Sequence, residues 1–264
     1  MNNPLPAFRL DGKVALVAGG AGYLGGPVCS LLAAQGARVI VADLSRERGE
    51  VLATDICAAT RSAAACFMDL DIGSESSIQQ AIQTTVEQEG RLDILVNATC
   101  SSTDKRLEEL TADDFDRILH LNLTGSFLLA RAAAARMQAG ASQVFFSSMY
   151  GEVSPDPRIY AAPMNPNPIE YGVAKAGICQ MVRYLSVHWA PRGIRVNAVA
   201  PGPFPNPTVQ REHPDFVGTL MKKVPMGRIG RQDELSGAVV WLASEQSSYV
   251  TGQIIRVDGG WTAW

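Results

Sequence analysis

Three side chains are spaced to move a proton: Ser148, which follows the apolar run Gln143-Val-Phe-Phe-Ser-Ser148, and the pair in Tyr171-Gly-Val-Ala-Lys175. On a helix, a spacing of four sets the phenol and the ammonium on one face. A free phenol titrates near pH ~10, so exchanging a proton near neutrality needs its anion stabilised by about three pK units, or ~4 kcal/mol. One fixed cation about 4 Å away in a partly desolvated site supplies about that much. A serine hydroxyl from a neighbouring strand end can then hydrogen-bond the substrate oxygen whose proton is moving. The set suits hydride chemistry on an alcohol or a ketone, which requires a nucleotide held beside it.

The upstream sequence reads as that holder. Lys13-Val-Ala-Leu-Val-Ala18 is a short apolar run with the pattern of a buried parallel strand. It runs into Gly19-Gly-Ala-Gly22-Tyr-Leu-Gly25-Gly26, and Pro27 stands where a first helical turn tolerates it. Ala37-Arg-Val-Ile-Val-Ala-Asp43 returns as a second strand, completing a βαβ unit. Without side chains at Gly19, Gly22 and Gly25 the backbone can turn tightly and approach a pyrophosphate, whose charge meets amides at the helix N-terminus. Asp43 either accepts the adenosine ribose hydroxyls, which favours NAD over NADP because a carboxylate repels a 2'-phosphate, or merely caps the next helix. Arg46 and Arg48 are placed to answer such a phosphate.

The remaining elements position the chemistry. A third strand over 63–68 ends at Asp69-Leu-Asp71, where Asp69 is the candidate to hold the adenine amino group, and Ser74 opens a helix to Glu89. A fourth strand, 92–98, exits at Asn97 facing the cofactor. Thr111, with Asp114 three residues on, opens a long amphipathic helix to about Met137. Asn122 lies among Leu119, Leu121 and Leu123, so it is either a satisfied polar core residue or a member of the site. The fifth strand delivers Ser148. Five prolines between Gly151 and Ile169 exclude regular structure and predict an ordered loop over the site, with Tyr150 and Tyr160 as substrate contacts or packing residues. The Tyr171 helix runs to about Ala190, and a sixth strand covers 193–199. Pro201-Gly-Pro-Phe-Pro-Asn-Pro207 also excludes regular structure, and with the segment to Pro225 it predicts a lid containing Phe204. A helix over 233–244 and a final strand over 253–257 complete the chain.

Composition sets the bounds. The 264 residues are 47% hydrophobic and 19% charged, which suits one large globular domain. A net charge of -3 gives no footprint for nucleic acid or an anionic membrane surface. Five scattered cysteines without a CxxC pair suit reduced thiols rather than a disulfide framework or a zinc site, and His120, His188 and His213 are equally scattered. The N-terminus carries two prolines and no long apolar run, unlike a signal peptide, and no segment reaches the roughly 20 apolar residues of a membrane span. A cytoplasmic protein is the expectation.

These motifs, in this order and over essentially the full length, resemble the short-chain dehydrogenases/reductases. The resemblance is carried by the glycine turn, Asp69-Leu70, Asn97-Ala98, Asn122, Ser148 with Gly151, Tyr171-x-x-x-Lys175, Arg195-Val-Asn-Ala-Val-Ala-Pro201-Gly202 and Val257-Asp-Gly-Gly260. It implies an α/β fold: a Rossmann-type doubly wound, seven-stranded parallel sheet with helices on both faces, in one domain over 1–264. It also implies that Tyr171 is the acid/base, that Lys175 lowers its pKa and binds the nicotinamide ribose, that Ser148 orients the substrate oxygen, and that Asn122 holds a relay water. The implied cofactor set is Gly19, Gly22, Tyr23, Leu24, Gly25, Asp43, Leu44, Asp69, Leu70, Asn97 and Ala98, joined by Tyr171, Lys175, Pro201, Gly202 and Phe204. Ser148, Tyr150, Tyr160 and Phe204 are the substrate set, and a homotetramer or homodimer is implied.

The chain departs from the family pattern at Ala18, at the spacing Gly19-x-x-Gly22-x-x-Gly25, at Asn97-Ala98-Thr99-Cys100, and in a longer gap between Ser148 and Tyr171. The glycine spacing resembles the epimerase and dehydratase branch. The long loop, with Pro201 to Asn206 and Trp261-Thr-Ala-Trp264, resembles members acting on sugars, sugar acids or sugar nucleotides. The expected activity is NAD-dependent interconversion of a secondary alcohol and a ketone. The alternatives are an epimerase or dehydratase with tightly held NAD, and a non-catalytic nucleotide-binding subunit on the same fold.

Overall fold

Strands with two buried faces need apolar residues on both, and β1, Val14–Ala18, is fully buried along its length. The computed structural model describes residues 8–162 and 164–264, so most of the N-terminal segment read above, and Pro163 of the loop, lie outside the described residues. In chain order the elements are β1, α1 (Gly25–Ala34), β2 (Arg38–Asp43), α2 (Arg46–Thr60), β3 (Ala65–Asp69), α3 (Glu75–Glu89) and β4 (Ile94–Asn97). They continue with α4 (Ala112–Leu119), α5 (Gly125–Arg136), β5 (Ser142–Phe146), α6 (Ile169–Trp189) and β6 (Arg195–Pro201). The short α7 (Pro207–Glu212), α8 (Pro214–Lys223), α9 (Ser236–Ala243) and β7 (Ile254–Val257) follow.

All pairings are parallel, and the sheet order is β3-β2-β1-β4-β5-β6-β7. The period of two sorts each strand between two cores. Leu16 and Ala18 face α3, α5 and α6 with Ile78, Leu129 and Ile178, while Ala15 and Val17 face α1, α2 and α9 with Val28, Ile56 and Val239. The chain order reverses between β1 and β4, so a crevice opens where their carboxyl ends diverge, the position at which such sheets take ligands. A third, smaller core under the loops joins Met149, Ile159, Leu220, Val224 and Trp261.

Two segments differ from the sequence reading. The helix read over 111–137 is broken by a π turn at His120–Thr124 between α4 and α5. The combined run, Ala112–Arg136, is long and apolar enough by composition to cross a membrane, and its α5 half packs Leu129, Ala130, Ala133 and Ala134 into the core. The stretch 201–207, read as irregular, is so only from Gly202 to Asn206: Pro201 ends β6 in register with Val257 and Pro207 opens α7, while Pro214 opens α8 in the rest of the lid. A proline at the first helical position loses no hydrogen bond, and Asn206 caps α7 by accepting from the Val209 amide at 3.0 Å.

Thr111 caps α4 as read, its hydroxyl accepting from the Asp114 amide while the Asp114 carboxylate accepts from the Thr111 amide, both at 3.1 Å. Removing that hydroxyl in Thr111→Ala is expected to lower unfolding stability by about 1 kcal/mol, measured as a lower urea midpoint with an unchanged slope.

Candidate active site

The crevice above β1 and β4 holds a cavity of about 940 Å³. Its floor is the glycine turn. Gly19 takes a positive φ of 73°, and a Cβ on Gly25 would stand 2.1 Å from the Gly19 carbonyl oxygen, so the turn closes only on glycine. The N-terminus of α1 has neither a capping side chain nor an acidic residue in its first turn, leaving its amides for an external anion. Both oxygens of Asp43 are fixed by amides, Oδ2 from Ala21 at 3.1 Å and Oδ1 from Ser45 at 3.0 Å. Asp43, Leu44 and Arg48 line the cavity. Arg46 is turned away to Asp69 and Glu50, with its guanidinium 5.2 Å over the Phe67 ring. A dinucleotide fits this donor set: amides for the pyrophosphate and a carboxylate for ribose hydroxyls.

Two expected cofactor contacts are corrected. Asp69 does not line the cavity. It ends β3, the edge strand outside β2, and its carboxylate pairs with Arg46, while Leu70 and Asp71 take the wall. Asn97 is also turned inward: its amide donates to Ser126 Oγ at 2.8 Å and its Oδ1 accepts from Thr99, leaving Ala98, Thr99 and Cys100 to face the cavity. The remaining expected residues line it. Gly19, Gly22, Tyr23, Leu24 and Gly25 form one end, and Pro201, Gly202 and Phe204 close the other.

Ser148, Tyr171 and Lys175 come together between these ends. Ser148 follows β5 and caps a short turn, its Oγ accepting from the Tyr150 amide at 3.1 Å. A Cβ on Gly151 would meet the Lys175 carbonyl carbon at 2.8 Å, so this turn packs directly on α6. Lys175 is buried, and its ammonium donates to the Phe146 carbonyl at 2.8 Å and stands 5.6 Å from the Tyr171 ring centre. Burial pushes Tyr171 up, the Cys100 thiol beside it pushes the same way, and the neighbouring Ser148 hydroxyl opposes them. Burial likewise pushes Lys175 down, partly offset by the thiols of Cys100 and Cys179.

Asn122 is a satisfied polar residue that also stands in the cavity wall. It sits in the π turn with its side chain satisfied, Oδ1 accepting from the Ser101 amide at 2.8 Å and Nδ2 donating to the Ser101 carbonyl at 2.6 Å, and it lines the cavity. The sequence reading missed Cys100, which it took for a structural thiol. The signal available was its place three residues beyond Asn97, on the strand exit that faces Tyr171. Glu170 was also missed. It is fully buried and accepts at Oε1 from the amide and hydroxyl of Thr103 at 3.0 and 2.6 Å, tying the 99–104 loop to the residue before Tyr171.

A second cavity, of about 650 Å³, adjoins the first, and Ser148, Tyr171, Gly202 and Phe204 line both. Tyr150 and Tyr160 stand in its wall, their hydroxyls 2.9 Å apart, and burial pushes both phenols up. Tyr160 also packs on Phe216 of α8, with ring centres 5.2 Å apart. The long loop and the helical lid thus build this cavity from opposite sides.

A family model described as enoyl-(acyl carrier protein) reductase matches residues 21–262. The 3-oxoacyl-(acyl-carrier-protein) reductase FabG of Thermotoga maritima is 34% identical over 255 residues, covering 96% of this chain and 99% of that one. The D-threitol dehydrogenase of Mycolicibacterium smegmatis is 33% identical over 258 residues, covering 97% and 95%. Among solved structures, a short-chain dehydrogenase/reductase from Serratia marcescens superposes with a TM-score of 0.87 at 30% identity, covering 96% of this chain and 99% of that one.

The forces on Tyr171 have a readable sign. If Tyr171 is the group that takes the substrate proton, the rate of alcohol oxidation rises with pH through its pKa. Ser148→Ala removes the group that lowers this pKa and is expected to shift the rising limb to higher pH. Cys100→Ala removes one that raises it and is expected to shift the limb lower, both read from initial rates of alcohol oxidation across pH.

Proposed function

The chain belongs to the short-chain dehydrogenases/reductases and is an oxidoreductase acting on CH–OH groups, and we propose that it uses NAD to interconvert a secondary alcohol and a ketone with Tyr171 as general acid/base. The observation that carries this reading is that Ser148 and Tyr171 stand at the junction of the two cavities. A cofactor in the first and a substrate in the second meet there.

In this reading each residue has a role. Ser148 hydrogen-bonds the substrate oxygen, and Tyr171 takes its proton during oxidation and returns it during reduction. Lys175, buried against the Phe146 carbonyl, fixes a positive charge beneath the phenol and is placed to hold a nicotinamide ribose. Asn122, in the cavity wall, is placed to hold a relay water. The glycine turn, Asp43, Leu44, Leu70 and Ala98 would hold the nucleotide, with Pro201, Gly202 and Phe204 at its nicotinamide end. Bound NAD supplies the hydride acceptor and, in its oxidised form, a positive charge that favours the phenolate. The 151–169 loop and the 201–225 lid would shape the substrate site, which suits a sugar, a sugar acid or a cyclic polyol.

NAD is preferred over NADP in this reading because the fixed Asp43 carboxylate faces the cavity, and Arg46 is already engaged by Asp69 and Glu50. Arg48 lies 3.9 Å from Asp43 and is partly answered by it. A homotetramer or homodimer would cover Tyr184 and Val187, exposed at 67% and 76% on α6. The chain acts as a single cytoplasmic domain in this reading.

Tyr171→Phe is expected to cut turnover by at least about a hundredfold while NAD still binds, read by steady-state kinetics beside a cofactor fluorescence titration. Substantial turnover in that variant sinks the mechanism. Asp43→Ala is expected to reduce the NAD-over-NADP ratio of kcat/KM by about tenfold, since it removes the charge that repels a 2'-phosphate. Equal use of both cofactors by the unmodified protein contradicts the ribose assignment.

A further inference from the structure

The second cavity has a distinctive balance of charge. Among its described lining residues there is no lysine or arginine, and the only side chain there able to carry a positive charge is His213, exposed in the hinge between α7 and α8. The nearby cations are all turned to other partners. Lys105 donates to Asp114 at 2.6 Å, Arg106 to the Asn165 side-chain carbonyl at 3.0 Å, and Lys223, beneath the cavity at Trp261, to Asp156. Asp104 differs. It lines both cavities, it is exposed, and its carboxylate has neither an ion-pair partner nor a side-chain hydrogen bond among the described residues.

The rest of the wall is neutral. Met149, Phe216 and Leu220 make an apolar floor, and the paired hydroxyls of Tyr150 and Tyr160 stand above it. Burial holds both phenols in their protonated form, so they offer hydroxyl donors and acceptors and no charge. A carboxylate or phosphate brought to this wall would lose hydration, find no fixed cation, and face Asp104. A neutral molecule bearing a second hydroxyl would find an acceptor in the same carboxylate.

We infer that the substrate is an uncharged polyhydroxy alcohol or its ketone, not a sugar acid or a phosphate ester, and that Asp104 is the residue that enforces the choice. This rests on the oxidoreductase reading above and narrows it. Asp104 acts as a specificity determinant: its carboxylate accepts a hydrogen bond from a hydroxyl other than the reacting one and repels an anion at the same place.

The test uses isosteric pairs that differ only in charge. The full-length protein with NAD is offered 4-hydroxycyclohexanecarboxamide against 4-hydroxycyclohexanecarboxylate, and gluconamide against gluconate, as part of a panel of neutral polyols. The neutral member is expected to lead in kcat/KM by about tenfold at low salt, the cost of placing like charges together in a partly exposed site. That lead should shrink in Asp104→Asn, and also when the ionic strength rises from about 0.01 M to about 0.15 M, which shortens the screening length from ~30 to ~8 Å. An anion used as well as its amide, or a lead untouched by Asp104→Asn, overturns the inference while leaving the oxidoreductase intact. Failure to oxidise any alcohol in the panel, with NAD shown to bind, sinks the oxidoreductase reading and this one with it.

Discussion

The Lys175 ammonium has to be satisfied inside the protein, and much of the site follows from how that is done. A buried cation without a partner is among the most costly groups a fold can carry. Here it donates to the Phe146 carbonyl, at the end of β5, while Ser147 Oγ answers by donating to the Lys175 carbonyl at 2.9 Å. The two bonds run in opposite directions between one strand end and one helix. They fix α6 against the sheet at the point where Ser148 leaves β5, and the close approach at Gly151 completes the contact. Serine and tyrosine therefore come from elements locked together by the third member of their own set.

Burial, first of all, holds the phenol up rather than down, with the Cys100 thiol acting the same way. Lys175 directs its proton at a backbone carbonyl, and Tyr171 is more deeply desolvated than it is helped. The Ser148 hydroxyl pushes the other way, toward the anion. The site is thus pre-arranged in geometry, while the burial of the phenol works against its ionisation.

Much of this was legible in the sequence, for particular reasons. The parallel strands are apolar on both faces, so their runs stand out. A glycine turn between strand and helix, with Asp43 ending the next strand, joins bare amides to a carboxylate at the spacing a dinucleotide needs. The Tyr171 and Lys175 spacing needs only the helical period. What was lost turned on features without a periodic signature. The π turn at His120–Thr124 adds no composition that differs from a helix. Pro207 read as excluding regular structure because the sequence does not show that it stands at a first helical position. Asp69 and Asn97 were placed on the correct strands, but their direction depended on tertiary neighbours: Arg46 on one side and Ser126 on the other.

The π turn also says something about how this site can vary. A helix at 3.6 residues per turn rotates by about 100° for each residue added or removed. The turn at His120–Thr124 absorbs such a residue between α4 and α5, and Asn122 sits at its centre with Ser126 Oγ donating to its carbonyl at 2.5 Å. Deleting one residue there would restore a regular helix and swing Asn122 and its hold on Ser101 out of the wall, even though every side chain named in the chemistry remained present. Residue count along this segment is thus as much a part of the active site as residue type. Two chains with the same serine, tyrosine and lysine can differ in competence by a single gap.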